Sequence, residues 1–162
     1  MRAVRVLPLV LLLVLGGCGT AAKSGTPPEL SAGYDSVDGE YQQAKSQLDL
    51  PAGTAFPDHL PNTGTHYLPG SGANQAQNFW LCAWLRDYLD AKPDRTQQAV
   101  SQLPRYTAMS AYTAGLRPDG RTMVDAVIQG AQRGDKAPAA KFVDSTCGGP
   151  FYSHASGGPR PS

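Results

Sequence analysis

His59 and His66 lie in one proline-rich stretch with Asp58 beside the first, and imidazole with carboxylate is a donor set that zinc accepts. No H-E-x-x-H or C-x-x-C accompanies them, and the third histidine, His154, stands far along the chain. Solvated histidines are the simpler reading, so no metal site and no cofactor is expected. Asp87 and Asp90 fall one helical turn apart, as a glycosidase acid pair can, but among polar neighbours where solvated charge is ordinary. Neither a nucleophile elbow nor a Ser-x-x-Lys pair occurs, and no catalytic residue is assigned. Gly70-Ser71-Gly72 precedes a helical pattern without the Gly-Lys of a phosphate loop and reads as a helix entrance. Trp80, Trp84 and Tyr88 recur every fourth residue on one helical face. They are either a stacking platform for a sugar or peptide or, in a chain poor in other large apolar residues, its core.

The elements that position these residues are helical. In 34–50, Val37, Tyr41, Ala44 and Leu48 keep helical spacing, Ser36 or Asp38 can cap the start, and Pro51 ends the run. The strongest element is 73–91, apolar nearly all round through Phe79-Trp80-Leu81-Cys82-Ala83-Trp84-Leu85, with Ser71 or Asn74 as cap and Lys92-Pro93 as stop. Further helices are expected over 94–103 and 105–116, separated by Pro104. After a Pro118-Asp119-Gly120 turn, Met123, Val124, Val127, Ile128 and Ala131 form a stripe closed by Gly134. Residues 137–143 suit a short helix or an extended segment. Between the first two helices, 52–72 is rich in proline and glycine and has no period. Such a loop is a binding element or a strap packed over a helix, and Phe56, Leu60 and Tyr67 favour the strap.

The start of the chain is of another kind. Arg2 and Arg5 precede an apolar run over 6–15, about half the length that a membrane-spanning helix needs. Directly after it, Leu15-Gly16-Gly17-Cys18 resembles the lipobox of bacterial lipoproteins: an aliphatic residue, two small ones, then the cysteine that takes diacylglycerol. The resemblance implies a signal peptide over 1–17, cleavage before Cys18, two-signal lipid anchoring through that residue, and display on the outer face of a membrane. It covers roughly the first twenty residues and implies nothing about the domain behind them. Residues 18–33, small and polar, read as a flexible tether, 34–152 as one small helical domain, and 153–162 as a disordered polar tail.

Export makes Cys82 and Cys147, the other two cysteines, a disulfide pair, since disulfides persist outside the cytosol. Closing that long a loop contributes roughly 4 kcal/mol in the chain-entropy treatment. The formal net charge is +1, from 14 basic and 13 acidic residues, and falls to about −1 once Arg2 and Arg5 leave with the leader. That balance leaves no electrostatic footprint for nucleic acid. The expected fold is mainly α, a small bundle of about four to five helices with a long Pro/Gly-rich loop and one disulfide. The expected function is a non-enzymatic binding or accessory protein at the cell envelope, its partner an envelope protein or wall component. A small envelope-acting hydrolase and a passive spacer are the alternatives. The ligand surface is expected on Phe56, His66 and Tyr67 from the loop above Trp80, Trp84 and Tyr88, with replacement of His66 and Tyr67 by alanine leaving stability nearly unchanged.

Overall fold

In a computed structural model the described residues are 31–156, apart from 65 and 92. The leader, Cys18 and nearly all of the expected tether fall outside them. Five α-helices occur among them: α1 Tyr34–Lys45, α2 Ser71–Asp90, α3 Pro93–Gln102, α4 Pro118–Gln132 and α5 Ala137–Thr146. The chain is mainly helical, as its periodicity indicates. Helix α2 is the axis of the fold, touching α1, α3, α5 and both 3-10 helices. The unbroken run Phe79 to Leu85 is buried because neighbours cover α2 on every side.

The termini of these elements follow tertiary partners more than local caps. Helix α1 stops at Lys45 rather than at Pro51. The chain then turns so that the Asp49 carbonyl accepts both indole N–H groups, from Trp80 at 2.8 Å and Trp84 at 3.1 Å. Neither Ser36 nor Asp38 caps α1, whose N-cap is Gly33. Helix α2 starts at Ser71, and neither Ser71 nor Asn74 caps it. Its first amides are met instead by Glu40 of α1, which accepts from Gly70 N at 2.9 Å and Gly72 N at 3.2 Å. Gly70 holds φ +84°, and a Cβ on Gly72 would stand 1.9 Å from the Val37 carbonyl, so the α1–α2 crossing requires glycine there.

The expected helix over 105–116 is replaced by a 3-10 helix, Leu103–Ala108, and a π-helical turn, Ala111–Gly115. Pro104 supplies no amide to an α ladder, while Gln77 takes the Ala111 N–H at 2.7 Å and Asn74 the Ser110 hydroxyl at 2.9 Å. Pro118-Asp119-Gly120 is the first turn of α4 rather than a separate turn, with Pro118 where its missing N–H costs nothing. Residues 137–143 are helical, within α5.

Cys82 and Cys147 are bonded, with Cα atoms 5.8 Å apart across a sequence separation of 65. Beyond the disulfide, Pro150–Ser156 forms a 3-10 helix, which overturns the expected disorder over 153–156; 157–162 lie outside the described residues. Two apolar clusters result. The larger surrounds α2 and reaches α4 and α5; the smaller joins Val37, Tyr41, Leu60 and Ala76 beneath the long loop. Phe56 and Phe151 pack against both.

Candidate functional site

The loop between α1 and α2 makes few backbone-to-backbone hydrogen bonds of its own, Thr54 N–H to the Pro51 carbonyl among them, and α1 supplies further partners. Tyr34 Oη donates to the Leu60 carbonyl at 2.8 Å and Tyr41 Oη to the Pro57 carbonyl at 2.9 Å. Gln42 and Lys45 both donate to the Asp58 carbonyl, at 2.6 and 2.8 Å. In return the Leu60 N–H donates to Asp38 Oδ1 at 2.9 Å, and His59 Nδ1 lies 2.7 Å from Asp38 Oδ2. Burial pushes the Asp38 carboxyl up, but hydrogen bonds from His59, the Leu60 amide and Gln42 outweigh it and hold the group below the ordinary carboxylate range. The far end of the loop is pinned to the start of the domain: Ala32 and Tyr67 exchange two backbone hydrogen bonds, at 2.7 and 3.3 Å. The loop is a strap.

Between this strap and the C-terminal 3-10 helix lies a groove of about 310 Å³, lined chiefly by Val37, Leu60, Tyr67, Ser71, Phe151 and Tyr152. Its walls are fixed from several directions. Tyr67 packs its ring 6.4 Å from that of Tyr34, and its hydroxyl bonds Thr63. Phe151 and Tyr152 sit against Phe79, with ring centroids at 5.7 and 6.4 Å. Arg86 donates to the carbonyls of Cys147 and Tyr152, anchoring the segment that carries these rings. Ser71 Oγ, on the lining, is enclosed and has no hydrogen-bond partner among the described residues. Aromatic walls, aliphatic faces and one unengaged hydroxyl suit a ligand group that is largely apolar with a single polar atom. A larger depression of about 470 Å³ between α1 and Met109 is more open and lined by the exposed amides of Gln43 and Gln47.

The residues expected to form a ligand surface are divided by the fold. Trp80, Trp84 and Tyr88 are 0%, 2% and 1% exposed and belong to the core, so they offer no platform. That face of α2 is covered by the turn after α1, whose Asp49 carbonyl takes both indoles, and by Arg105 and Lys136 over the rings of Trp80 and Tyr88. Phe56 is half-buried, 5.0 Å from the Phe79 ring, and serves as a packing residue. His66 is exposed but off the groove, and Tyr67 alone of the six lines it. Tyr67 is also structural, so removing it has a cost in stability that the sequence reading did not assign. The unread contributors are Val37, Leu60, Phe151 and Tyr152. The adjacent aromatic pair after Cys147, in a stretch otherwise rich in glycine and proline, was the available signal for the last two.

The remaining chemistry-bearing side chains are dispersed. Asp87 pairs with Arg95 of α3; desolvation raises its carboxyl and Arg95 opposes that shift. Asp90 is exposed. The Asp38–His59 pair has the geometry by which a carboxylate orients an imidazole, but no hydroxyl or thiol among the described residues is hydrogen-bonded to that ring. Among the described residues no group of three or more His, Cys, Asp or Glu side chains could hold a metal ion, and no helix is long and apolar enough to cross a membrane. Compared with protein-family models, curated proteins and solved structures, the chain matches none.

Proposed function

We propose that this protein is an exported lipoprotein, anchored through Cys18 on the outer face of a membrane, that binds a ligand at the cell envelope without transforming it. The anchor is supported by Leu15-Gly16-Gly17-Cys18 behind a basic start and a short apolar run. Binding is supported by one observation above others, the aromatic groove between strap and C-terminal helix, whose walls are held by side chains the fold has already immobilised. A pre-ordered rim costs little entropy when a ligand enters, so even a groove this small can bind usefully. The ligand belongs to an envelope protein or wall component, through a group small enough for this volume.

Two measurements test this. Replacing Cys18 by Ala releases the protein from the membrane fraction; full retention with the leader removed overturns the anchor. A photo-reactive side chain at Gln75, which lines the groove and is exposed, is expected to yield an envelope adduct that the same group at Met123 does not. Identical adducts from both positions, or none from Gln75, overturn the binding reading.

A further inference from the structure

Two large apolar side chains are exposed among the described residues, Leu68 at 68% and Met123 at 48%, and their surroundings differ. Met123 sits on α4 in a stretch, 117–125, that carries Arg117, Asp119, Arg121 and Asp125, the first two 3.6 Å apart. Leu68 belongs to the stretch 61–70, Pro-Asn-Thr-Gly-Thr-His-Tyr-Leu-Pro-Gly, which carries no charged side chain. Glu40, which reaches Gly70, is engaged by the Gly70 and Gly72 amides, and Asp35 stands exposed on the first turn of α1. A single exposed leucine is ordinary on any protein. The end of the strap is set apart because the chain from Cys18 arrives there: Ala32 is bonded on both sides to Tyr67, the residue before Leu68.

We infer that this end of the strap is the pole of the domain that faces the membrane, with Leu68 reaching the headgroup boundary of the lipid surface and His66, Tyr67 and Pro69 around it. The inference rests on the anchoring proposed at Cys18. The segment from Cys18 to Ala32 can span at most roughly 50 Å, so an anchored domain stays within that distance of the bilayer and meets it at high effective concentration. Under that condition a weak contact suffices to choose an orientation. A neutral segment with an aliphatic tip, a tyrosine and a histidine has little charge to desolvate on approach, whereas the α4 surface has four charged groups to strip. The groove, which shares Tyr67 with this pole, would then open beside the membrane and draw its ligand from there.

The test supplies the anchor chemically, so that it does not depend on processing in the cell. The mature chain from Cys18 is coupled through that thiol, Cys82 and Cys147 being bonded, to a maleimide lipid in phosphatidylcholine–phosphatidylglycerol nanodiscs bearing gadolinium-chelating headgroups. The amides of residues 66–68 are expected to broaden several-fold more than those around Met123, and Leu68→Glu is expected to abolish the difference while leaving the melting temperature unchanged. Equal broadening at both places, or a difference that survives Leu68→Glu, overturns the inference. Mass analysis of the amino-terminal peptide from cells separately reports on the lipid itself.

Discussion

The side of α2 that faces α4 and α5 and the side that faces α1 are held to their neighbours by different forces. Toward α4 and α5, Leu81, Leu85, Val124, Val127, Ile128 and Phe142 close an apolar core, and the Cys82–Cys147 bond ties α2 to the end of α5. Toward α1 the apolar cluster is small, and specific polar contacts do much of the fixing: Glu40 on the first amides of α2, Tyr34, Tyr41, Gln42 and Lys45 on the strap carbonyls, and Asp38 on the strap's Leu60 amide. The contrast shows how an aperiodic loop becomes ordered. Its backbone cannot satisfy itself, so a neighbouring helix lends polar side chains to do so. Burial on the core side is tolerant of small shifts, while hydrogen bonds and close backbone approach on the α1 side are not.

Breaking the disulfide side is expected to have the largest effect. Replacing Cys82 and Cys147 together by Ala removes a crosslink worth roughly 4 kcal/mol, read as a lower denaturation midpoint, with the C-terminal 3-10 helix losing amide-exchange protection first. Unchanged stability would mean that Arg86 and the Phe151 ring hold the segment unaided.

Next comes Gly72→Ala, which forces a methyl group into the Val37 carbonyl and is expected to cost about 3 kcal/mol. Because it prises α1 from α2, protection should fall in α1 and the strap before α4 and α5. A uniform loss would erase the contrast between the two sides. Glu40→Ala should do the same more mildly, costing about 1 kcal/mol through the two amides it leaves to water.

A subtler effect is the pH dependence contributed by Asp38 on the α1 side, which the raised Asp87 carboxyl beside α3 opposes. The Asp38 carboxyl is held below its ordinary value in the folded state, so its stabilisation is present above the unfolded value near 4 and is lost as pH falls through the folded one. Melts between pH 6 and 3 should therefore slope downward with acid, and Asp38→Asn should flatten that slope without removing the strap's Leu60 contact altogether. Smallest of all, His66→Ala should leave stability within about 0.5 kcal/mol, since the side chain is exposed, whereas Tyr67→Ala should not.

Periodicity and punctuation carried a large part of the architecture. The stripe of α4, the all-round apolar α2 and the halting of α2 near Asp90 are local matters of spacing and proline, legible because a helix repeats every few residues, whereas the stop of α1 at Lys45, short of Pro51, was not. The Cys82–Cys147 bond followed from counting thiols in a chain whose start reads as an export signal. What caps the first two helices was not legible, since Glu40 meets the start of α2 from thirty residues away and Gly33 replaces the expected polar cap on α1. Nor was the failure of 105–116 to form an α-helix, which depends on Asn74 and Gln77 meeting it from α2.

For the site the division is sharper. The sequence determined that the loop carries Tyr67 and that the aromatic face of α2 is apolar, because composition alone establishes both. Only the tertiary structure decided that Trp80, Trp84 and Tyr88 are covered, and that Val37, Leu60 and Phe151 share a groove with Tyr67. A helical face is exposed or buried according to what packs on it. The segments that pack here, the strap and the C-terminal 3-10 helix, lack the periodicity by which a sequence announces its neighbours.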